Sequence, residues 1–161
     1  MMISRNFRLC DIELDEAVGT AGSIVEQETA VAILDLLDDN LFQPRYHHGG
    51  PYRLKLLLVS SKLEFLVRTE DGATVARHIL SLTPIRRIVK DYSLICETHY
   101  RALRGQPASQ IEAIDMGRRA LHNEGSRILM DRLSDKIRMD LNTARRLFTL
   151  ICVLLWRCRN G

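Results

Sequence analysis

The stretch Leu147 to Trp156, LFTLICVLLW, has an apolar side chain at every position except Thr149. We predict that it belongs to a helix that Asn142 caps and that extends to about Cys158. A helix that is apolar on all sides must be covered on all sides. We therefore expect this last helix to be central and buried, with the other elements packed around it.

The composition is that of an ordinary globular protein, with 161 residues, 46% of them hydrophobic and 27% charged. This length fits one domain, residues 1–161, which can bury about two thirds of its unfolded surface. The four cysteines form no C-x-x-C motif, which is typical of reduced thiols. The chain also starts with no apolar signal sequence, and its longest apolar run is shorter than the ~20 residues of a membrane span. We expect a cytoplasmic protein that needs no metal or cofactor.

Hydrophobic periodicity predicts the order β-α-β-β-β-α-α-β-α. The first strand is expected near residues 5–14 with an irregularity at Cys10, and a capping box at Ser23 and Glu26 starts the first helix. Short connections then join three strands, which can only form an antiparallel meander. Their predicted ranges are 52–59, 63–69 and 74–82.

Two further helix starts precede the last helix. Thr83 and Pro84 place a cap residue and a proline at the start of a helix that ends at Gly105. A second capping box at Ser109 opens a long helix, in which Gly117 and Gly125 predict close approach of another backbone, or a kink. A short strand over 136–141 follows. The predicted class is α+β, an antiparallel sheet of four or five strands packed with four helices.

Two loops suggest chemistry that the residues do not support. The loop from Gly19 to Gly22 lies between a strand and a helix, but no G-x-x-x-x-G-K-[ST] motif is present, so phosphate binding there is not favoured. His47 and His48 are adjacent and could bind a metal. Two ligands without a third nearby favour a solvent-exposed turn instead.

Three arginine pairs are the candidate ligand-binding residues. Two pairs are predicted in the first turn of a helix, where the helix dipole disfavours cations by about 0.3–1 kcal/mol each. A bound anion would compensate for this cost. Nearby carboxylates, such as Asp91 and Asp115, are the alternative explanation. The pairs are Arg86 with Arg87, Arg118 with Arg119, and Arg145 with Arg146.

His122 and Glu124 are the only candidates for acid or base catalysis, in the segment LHNEG. No carboxylate lies three or four residues from His122 to orient it. The H-E-x-x-H and G-x-S-x-G motifs are absent, as are the signatures of kinases. Catalysis therefore has less support than binding. Aromatic residues make up only 6% of the chain, which also disfavours nucleic-acid binding.

Four long segments carry a resemblance that covers nearly the whole chain. They are GGPYRLKL (49–56), HILSLTPIRRIVKDY (78–92), QIEAIDMGRRALHNEGS (110–126) and TARRLFTLICVLLWR (143–157). Together they resemble an uncharacterised protein family of alphaproteobacteria. The resemblance implies a bacterial cytoplasmic protein and supplies no substrate, cofactor or catalytic residue. His48 stands where that family pattern has an acidic residue, which further disfavours a metal site in this loop.

These patterns favour a non-enzymatic binding or adaptor protein whose paired arginines engage an anionic small molecule or an acidic protein surface. The alternative is an enzyme that acts on a phosphorylated or carboxylated metabolite. In that enzyme the arginines would hold the anion, and His122 or Glu124 would act as general acid or base. The sequence leaves a homodimer open and does not say whether the arginine pairs converge.

Overall fold

The computed structural model of the protein describes residues 6–15 and 23–160. These residues form six strands and four helices, which confirms the α+β class. The strands are β1 (Leu9–Leu14), β2 (Phe42–Pro44), β3 (Tyr52–Val59), β4 (Lys62–Thr69), β5 (Thr74–Ser81) and β6 (Ile137–Met139). The helices are α1 (Ser23–Asp38), α2 (Thr83–Ala102), α3 (Ala108–Leu133) and α4 (Leu141–Asn160). The loop from Gly19 to Gly22 lies outside the described residues.

The main sheet has the strand order β1-β3-β4-β5. β3, β4 and β5 form the predicted antiparallel meander. β1 is parallel to β3, so the sheet is mixed rather than wholly antiparallel. A parallel pair needs a long crossover, and α1 lies in the connection between these two strands. The register shifts between Leu9 and Asp11, which confirms the irregularity predicted at Cys10.

A second, two-stranded sheet pairs β2 with β6. The sequence predicts β6 but not β2, because β2 has only three residues and contains Pro44, which is too short for an alternating pattern to be recognised. Phe42 faces Met139 in this antiparallel pair. The pair brings the chain after α1 against the segment before α4.

α4 is the central helix, as its sequence predicts. Leu147, Phe148 and every residue from Leu150 to Leu154 are buried. They belong to one hydrophobic core that also contains residues of both sheets and of the other helices. Leu155 and Trp156 are only partly buried, so the cover opens at the carboxyl end of the helix. None of the helices in the described ranges is long and apolar enough to cross a bilayer.

The helix starts differ from the predicted caps. α4 begins at Leu141, and the carboxylate of Asp140 accepts a hydrogen bond from the backbone N–H of Thr143 at 2.9 Å. Asp140 therefore acts as the N-terminal cap in place of Asn142. α3 begins at Ala108 after Pro107, so Ser109 already lies inside the helix and caps nothing. Local spacing predicts a helix start to within a few residues and does not choose the capping side chain.

The sequence predicts that the two interior glycines of α3 allow another backbone to approach, or kink the helix. In the structure each of them instead leaves space for a side chain of a neighbouring helix. A Cβ atom on Gly125 would lie 2.3 Å from Cζ of Phe148 in α4. A Cβ atom on Gly117 would lie 2.9 Å from Cδ1 of Ile95 in α2. Gly125 is thus the position that lets the aromatic ring of α4 lie directly against α3.

Candidate ligand-binding groove

A groove of about 570 Å³ lies at the carboxyl end of α4, where the cover of that helix opens. Residues from all four helices line it. α1 supplies Val25, Glu28 and Thr29; α2 supplies Tyr92, Ser93, Leu94, Cys96, Glu97, His99 and Tyr100; α3 supplies Arg118; α4 supplies Thr149, Cys152, Val153 and Trp156. Small-molecule sites occupy about 300–1,000 Å³ and are mostly apolar with a few polar groups. The size and the lining of this groove both fall within that description.

α1 forms one wall of the groove and is joined to α4 by an ion pair. The guanidinium of Arg157 donates to both carboxylate oxygens of Glu26, with a distance of 2.9 Å from Nε to Oε1. The Arg157 side chain is only 13% exposed, so the pair is partly shielded from water. Glu26 and Arg157 therefore fix the position of this wall relative to the groove floor.

The floor and the α2 wall contain aromatic rings and neutral thiols. The rings of Tyr92 and Trp156 are nearly parallel, with centroids 6.4 Å apart. Nε1 of Trp156 is buried and has no hydrogen-bond partner within residues 6–15 and 23–160. Burial raises the pKa of the Cys96 thiol and of the Cys152 thiol. Both cysteines are therefore protonated at neutral pH and are weak nucleophiles.

Arg118 is the one member of the three arginine pairs that lines the groove. Its Nε and Nη2 donate to Oδ1 of Asp115 at 2.9 and 2.7 Å, while Arg119 donates to Oδ2 from outside the groove. His99 lies 3.6 Å from the same carboxylate. The hydrogen bond from Arg118 holds the pKa of Asp115 below its usual range. Local carboxylate pairing, the predicted alternative to anion binding, thus applies to this pair.

His122 lies behind the groove wall, against Thr149. The hydroxyl of Thr149 donates to the carbonyl of Arg145 at 3.2 Å, so its oxygen accepts the hydrogen bond from Nε2 of His122 at 2.8 Å. Nε2 of His122 therefore carries a proton. Burial lowers the pKa of His122 to about 4, and the positive charges of Arg145 and Arg118 contribute to this shift. At neutral pH the imidazole of His122 is therefore uncharged. It is packed and hydrogen-bonded, and it is not a general acid.

The three arginine pairs do not form a single cluster. Arg86 and Arg87 are exposed and make no ion pair within residues 6–15 and 23–160. Arg146 donates to the backbone carbonyl of Asp39. The positive charges of Arg145 and Arg118 each lower the pKa of His122. Because α4 begins at Leu141, neither Arg145 nor Arg146 lies in its first turn, so the predicted dipole penalty does not apply there.

The remaining candidate residues are not among those that line the groove. Glu124 is exposed, and His122 is not among the groove-lining residues. Nδ1 of His47 faces the hydroxyl of Tyr52 at 3.0 Å, whereas the ring of His48 packs against Phe7. The two loop histidines thus have different partners. In the part of the chain that the structure describes, no three histidine, cysteine or acidic side chains are placed to hold a metal ion.

Sequence reasoning missed most of the groove. Trp156, Cys96 and His99 line the groove, but their spacing along the helices is that of apolar, core-facing positions. The available signal was that Leu155 and Trp156 end an apolar run close to Arg157. A bulky ring beside a charge at the end of a buried helix often lies at the edge of the core.

The fold and the groove define an α+β domain with an interhelical small-molecule-sized cleft and no metal cluster among the described residues. The comparison with family models then identifies the family. The chain belongs to the uncharacterised protein family UPF0262, whose model matches residues 6–157. This membership agrees with the resemblance noted in the sequence.

Relatives of similar length share most of the sequence. The chain is 64% identical over 157 residues to a UPF0262 protein of Rhizobium meliloti, covering 98% of this chain and 99% of the relative. It is 61% identical over 156 residues to one of Agrobacterium fabrum, covering 97% and 99%. It is 63% identical over 151 residues to one of Mesorhizobium japonicum, covering 93% and 94%. No solved structure matches the chain.

Proposed function

We propose that this protein is a cytoplasmic ligand-binding module that holds an aromatic anion in the groove at the carboxyl end of α4. The observation that carries the proposal is the groove itself, about 570 Å³ in size and lined by all four helices. A catalytic cleft would require activated groups. The thiols of this groove have raised pKa values, and the nearest imidazole is already hydrogen-bonded.

The chemistry of the walls suggests the ligand class. Tyr92, Tyr100 and Trp156 offer aromatic surface for a flat apolar body. Arg118 offers the guanidinium that an anionic group would engage, in competition with Asp115 and against the carboxylates of Glu28 and Glu97, which also line the groove. Trp156 also has a buried N–H without a partner among the described residues, and a ligand acceptor could satisfy it. Of the six candidate arginines, Arg118 is therefore the one that we expect to bind the anion.

Binding of 8-anilinonaphthalene-1-sulfonate, a bulky aromatic anion, tests the groove. Ser93 lines the groove and Thr98 lies on the exposed side of the same helix, so Ser93→Trp and Thr98→Trp are matched variants. We expect Ser93→Trp to weaken binding measured by titration calorimetry at least about tenfold, or about 1.4 kcal/mol, and Thr98→Trp to leave it unchanged. Absence of binding to the folded wild type, or equal binding by both variants, contradicts the proposal.

A second pair of variants tests the anion-binding role. Arg118→Gln removes the charge that lines the groove, whereas Arg119→Gln removes an exposed charge that also pairs with Asp115. We expect only Arg118→Gln to weaken binding of the sulfonate, by about tenfold, because a charged hydrogen bond contributes about 1.5–3 kcal/mol. Equal losses for both variants would show a general effect of surface charge.

The enzyme alternative is supported by one observation, the proximity of Arg118 and Arg145 to His122. In that case His122 would act through Nδ1, because Nε2 donates to Thr149. This function requires the side chain to become accessible from the groove. If His122→Gln leaves sulfonate binding intact and no turnover of aromatic phosphate esters or carboxylate esters is detected in wild type, the alternative loses its basis.

A further inference from the structure

β5, Thr74–Ser81, is one edge of the main sheet. It pairs with β4 from Thr74 opposite Arg68 to Ser81 opposite Lys62, and with no other strand in the described ranges. The outward-facing backbone groups of β5 have no backbone hydrogen-bond partner within residues 6–15 and 23–160. A row of unpaired N–H and C=O groups is a template for another strand.

Apart from an irregularity at Val75, this strand lacks the usual protections against edge pairing. Its sequence, TVARHILS, contains no proline, glycine or lysine. Its only formally charged side chain is Arg77, which forms an ion pair with Glu64 of β4 at 2.9 Å. Ile79 is a large apolar side chain that remains 56% exposed. The edge is long, regular apart from its first residues, and presents no uncompensated charge.

His78 adds no charge at neutral pH. Burial lowers the pKa of His78, with a further lowering by Lys136 that Asp135 opposes. Arg77 is held on the sheet by Glu64, so two copies of this edge meet without repulsion between unpaired charges. A charged peptide, in contrast, would find no free countercharge along the strand.

We propose that β5 pairs antiparallel with β5 of a second copy of this chain and joins the two main sheets into one. An antiparallel pair of identical strands is related by a two-fold axis, which is the commonest symmetry of protein dimers. Pairing satisfies the free backbone groups along the strand. It also brings Ile79, the exposed apolar side chain of this edge, close to the neighbouring copy. This interface is on the sheet edge and is independent of the proposed ligand groove.

Sedimentation equilibrium of wild type and two variants tests the dimer. The variant Ile79→Lys adds charge at the edge, and the matched control Val59→Lys adds charge at a similarly exposed side chain at the end of β3, away from that edge. At concentrations up to about 100 μM we expect wild type and the control to have twice the 18.4 kDa chain mass, and Ile79→Lys to have the mass of one chain. A monomeric wild type, or an Ile79→Lys variant that remains dimeric, overturns the proposal.

Hydrogen exchange of the wild type gives a test without substitution. Amides of β5 that point away from β4 should exchange more slowly as protein concentration rises, because dimerisation protects them. Exchange in β3, which has a neighbour on each side, should not depend on concentration. If exchange in β5 is also independent of concentration while a dimer is present, the dimer uses another surface and the proposal is wrong.

Discussion

Replacing Gly125 by alanine should destabilise the fold, although alanine is the better helix former. The added Cβ would lie 2.3 Å from Cζ and 2.4 Å from Cε1 of Phe148. Carbon atoms in contact lie about 3.5–4.0 Å apart, so the ring or α3 has to move by more than ~1 Å. Phe148 is fully buried, and its ring contacts Tyr92 and His122 with centroids 6.0 and 5.2 Å away. It therefore has little room to move.

The expected magnitude follows from two opposing terms. Overpacking a core typically costs about 1–3 kcal/mol. Alanine regains up to ~1 kcal/mol of helix propensity relative to glycine. Because three atoms of the Phe148 ring would lie closer than 3.0 Å to the added Cβ, the cost belongs to the upper half of that range, about 2–3 kcal/mol, and we expect a net loss of about 1–2 kcal/mol in the free energy of unfolding of Gly125→Ala. Urea denaturation followed by far-ultraviolet circular dichroism at pH 7 measures this loss.

Gly117→Ala is the matched control in the same helix. Its added Cβ meets only Cδ1 of Ile95, at 2.9 Å, which is the flexible end of a partly exposed side chain. Ile95 can rotate away, so the helix propensity should dominate and stabilise the protein by about 0.5–1 kcal/mol. Combining Gly125→Ala with Phe148→Leu should recover stability relative to the sum of the single changes, since the two sites are in contact. Equal effects at the two glycines, or strict additivity with Phe148→Leu, would refute this account of the packing.

Three further predictions concern single contacts. Asp140→Ala should lower the free energy of unfolding by about 0.5–2 kcal/mol, because the capping hydrogen bond to Thr143 is lost. Asn142→Ala should change this free energy little, and thermal denaturation compares the two variants. Glu26→Gln should lower the free energy of unfolding by about 1–2 kcal/mol, which lies between the ranges for exposed and for buried ion pairs. A double-mutant cycle with Arg157→Gln should show that the two changes are coupled. His122 has a pKa of about 4 in the folded state and near 6.5 in the unfolded state, so the unfolded state binds the proton first as the pH falls. The free energy of unfolding should therefore decrease by about 1–3 kcal/mol between pH 6.5 and pH 4. The variant His122→Gln should lack this part of the pH dependence in urea titrations at several pH values; an unchanged profile would assign it to other groups.

Some residues belong both to the groove and to the hydrophobic core, so substituting them would change stability as well as binding. Tyr92 is 8% exposed and packs against Phe148, yet it also lines the groove. Cys152 is fully buried in the core and contributes to the groove floor. Substitutions at Ser93 and Arg118 are better probes, because neither residue belongs to the hydrophobic core.

Much of the fold could be predicted because its signals are local. The alternation of residues 52–59 predicted β3 with the bounds that the structure has, and the apolar run from Leu147 predicted a buried final helix. The candidate site was less predictable. Arg118 was one of six candidate arginines, and only its position opposite α1 and α4 distinguishes it from the others. No pattern along the chain contains that information.

Hydrophobic periodicity predicted every helix and strand of the described residues except β2, and it predicted that α4 lies at the centre, because the periodicity of apolar residues is a property of neighbours in the chain. The parallel pairing of β1 with β3 and the pairing of β2 with β6 depend on the packed fold. The packed fold also brings Glu26 to Arg157, 131 positions away, and places residues of four helices around one groove. These features depend on distances between groups from separate elements, which are fixed only when all the elements pack together.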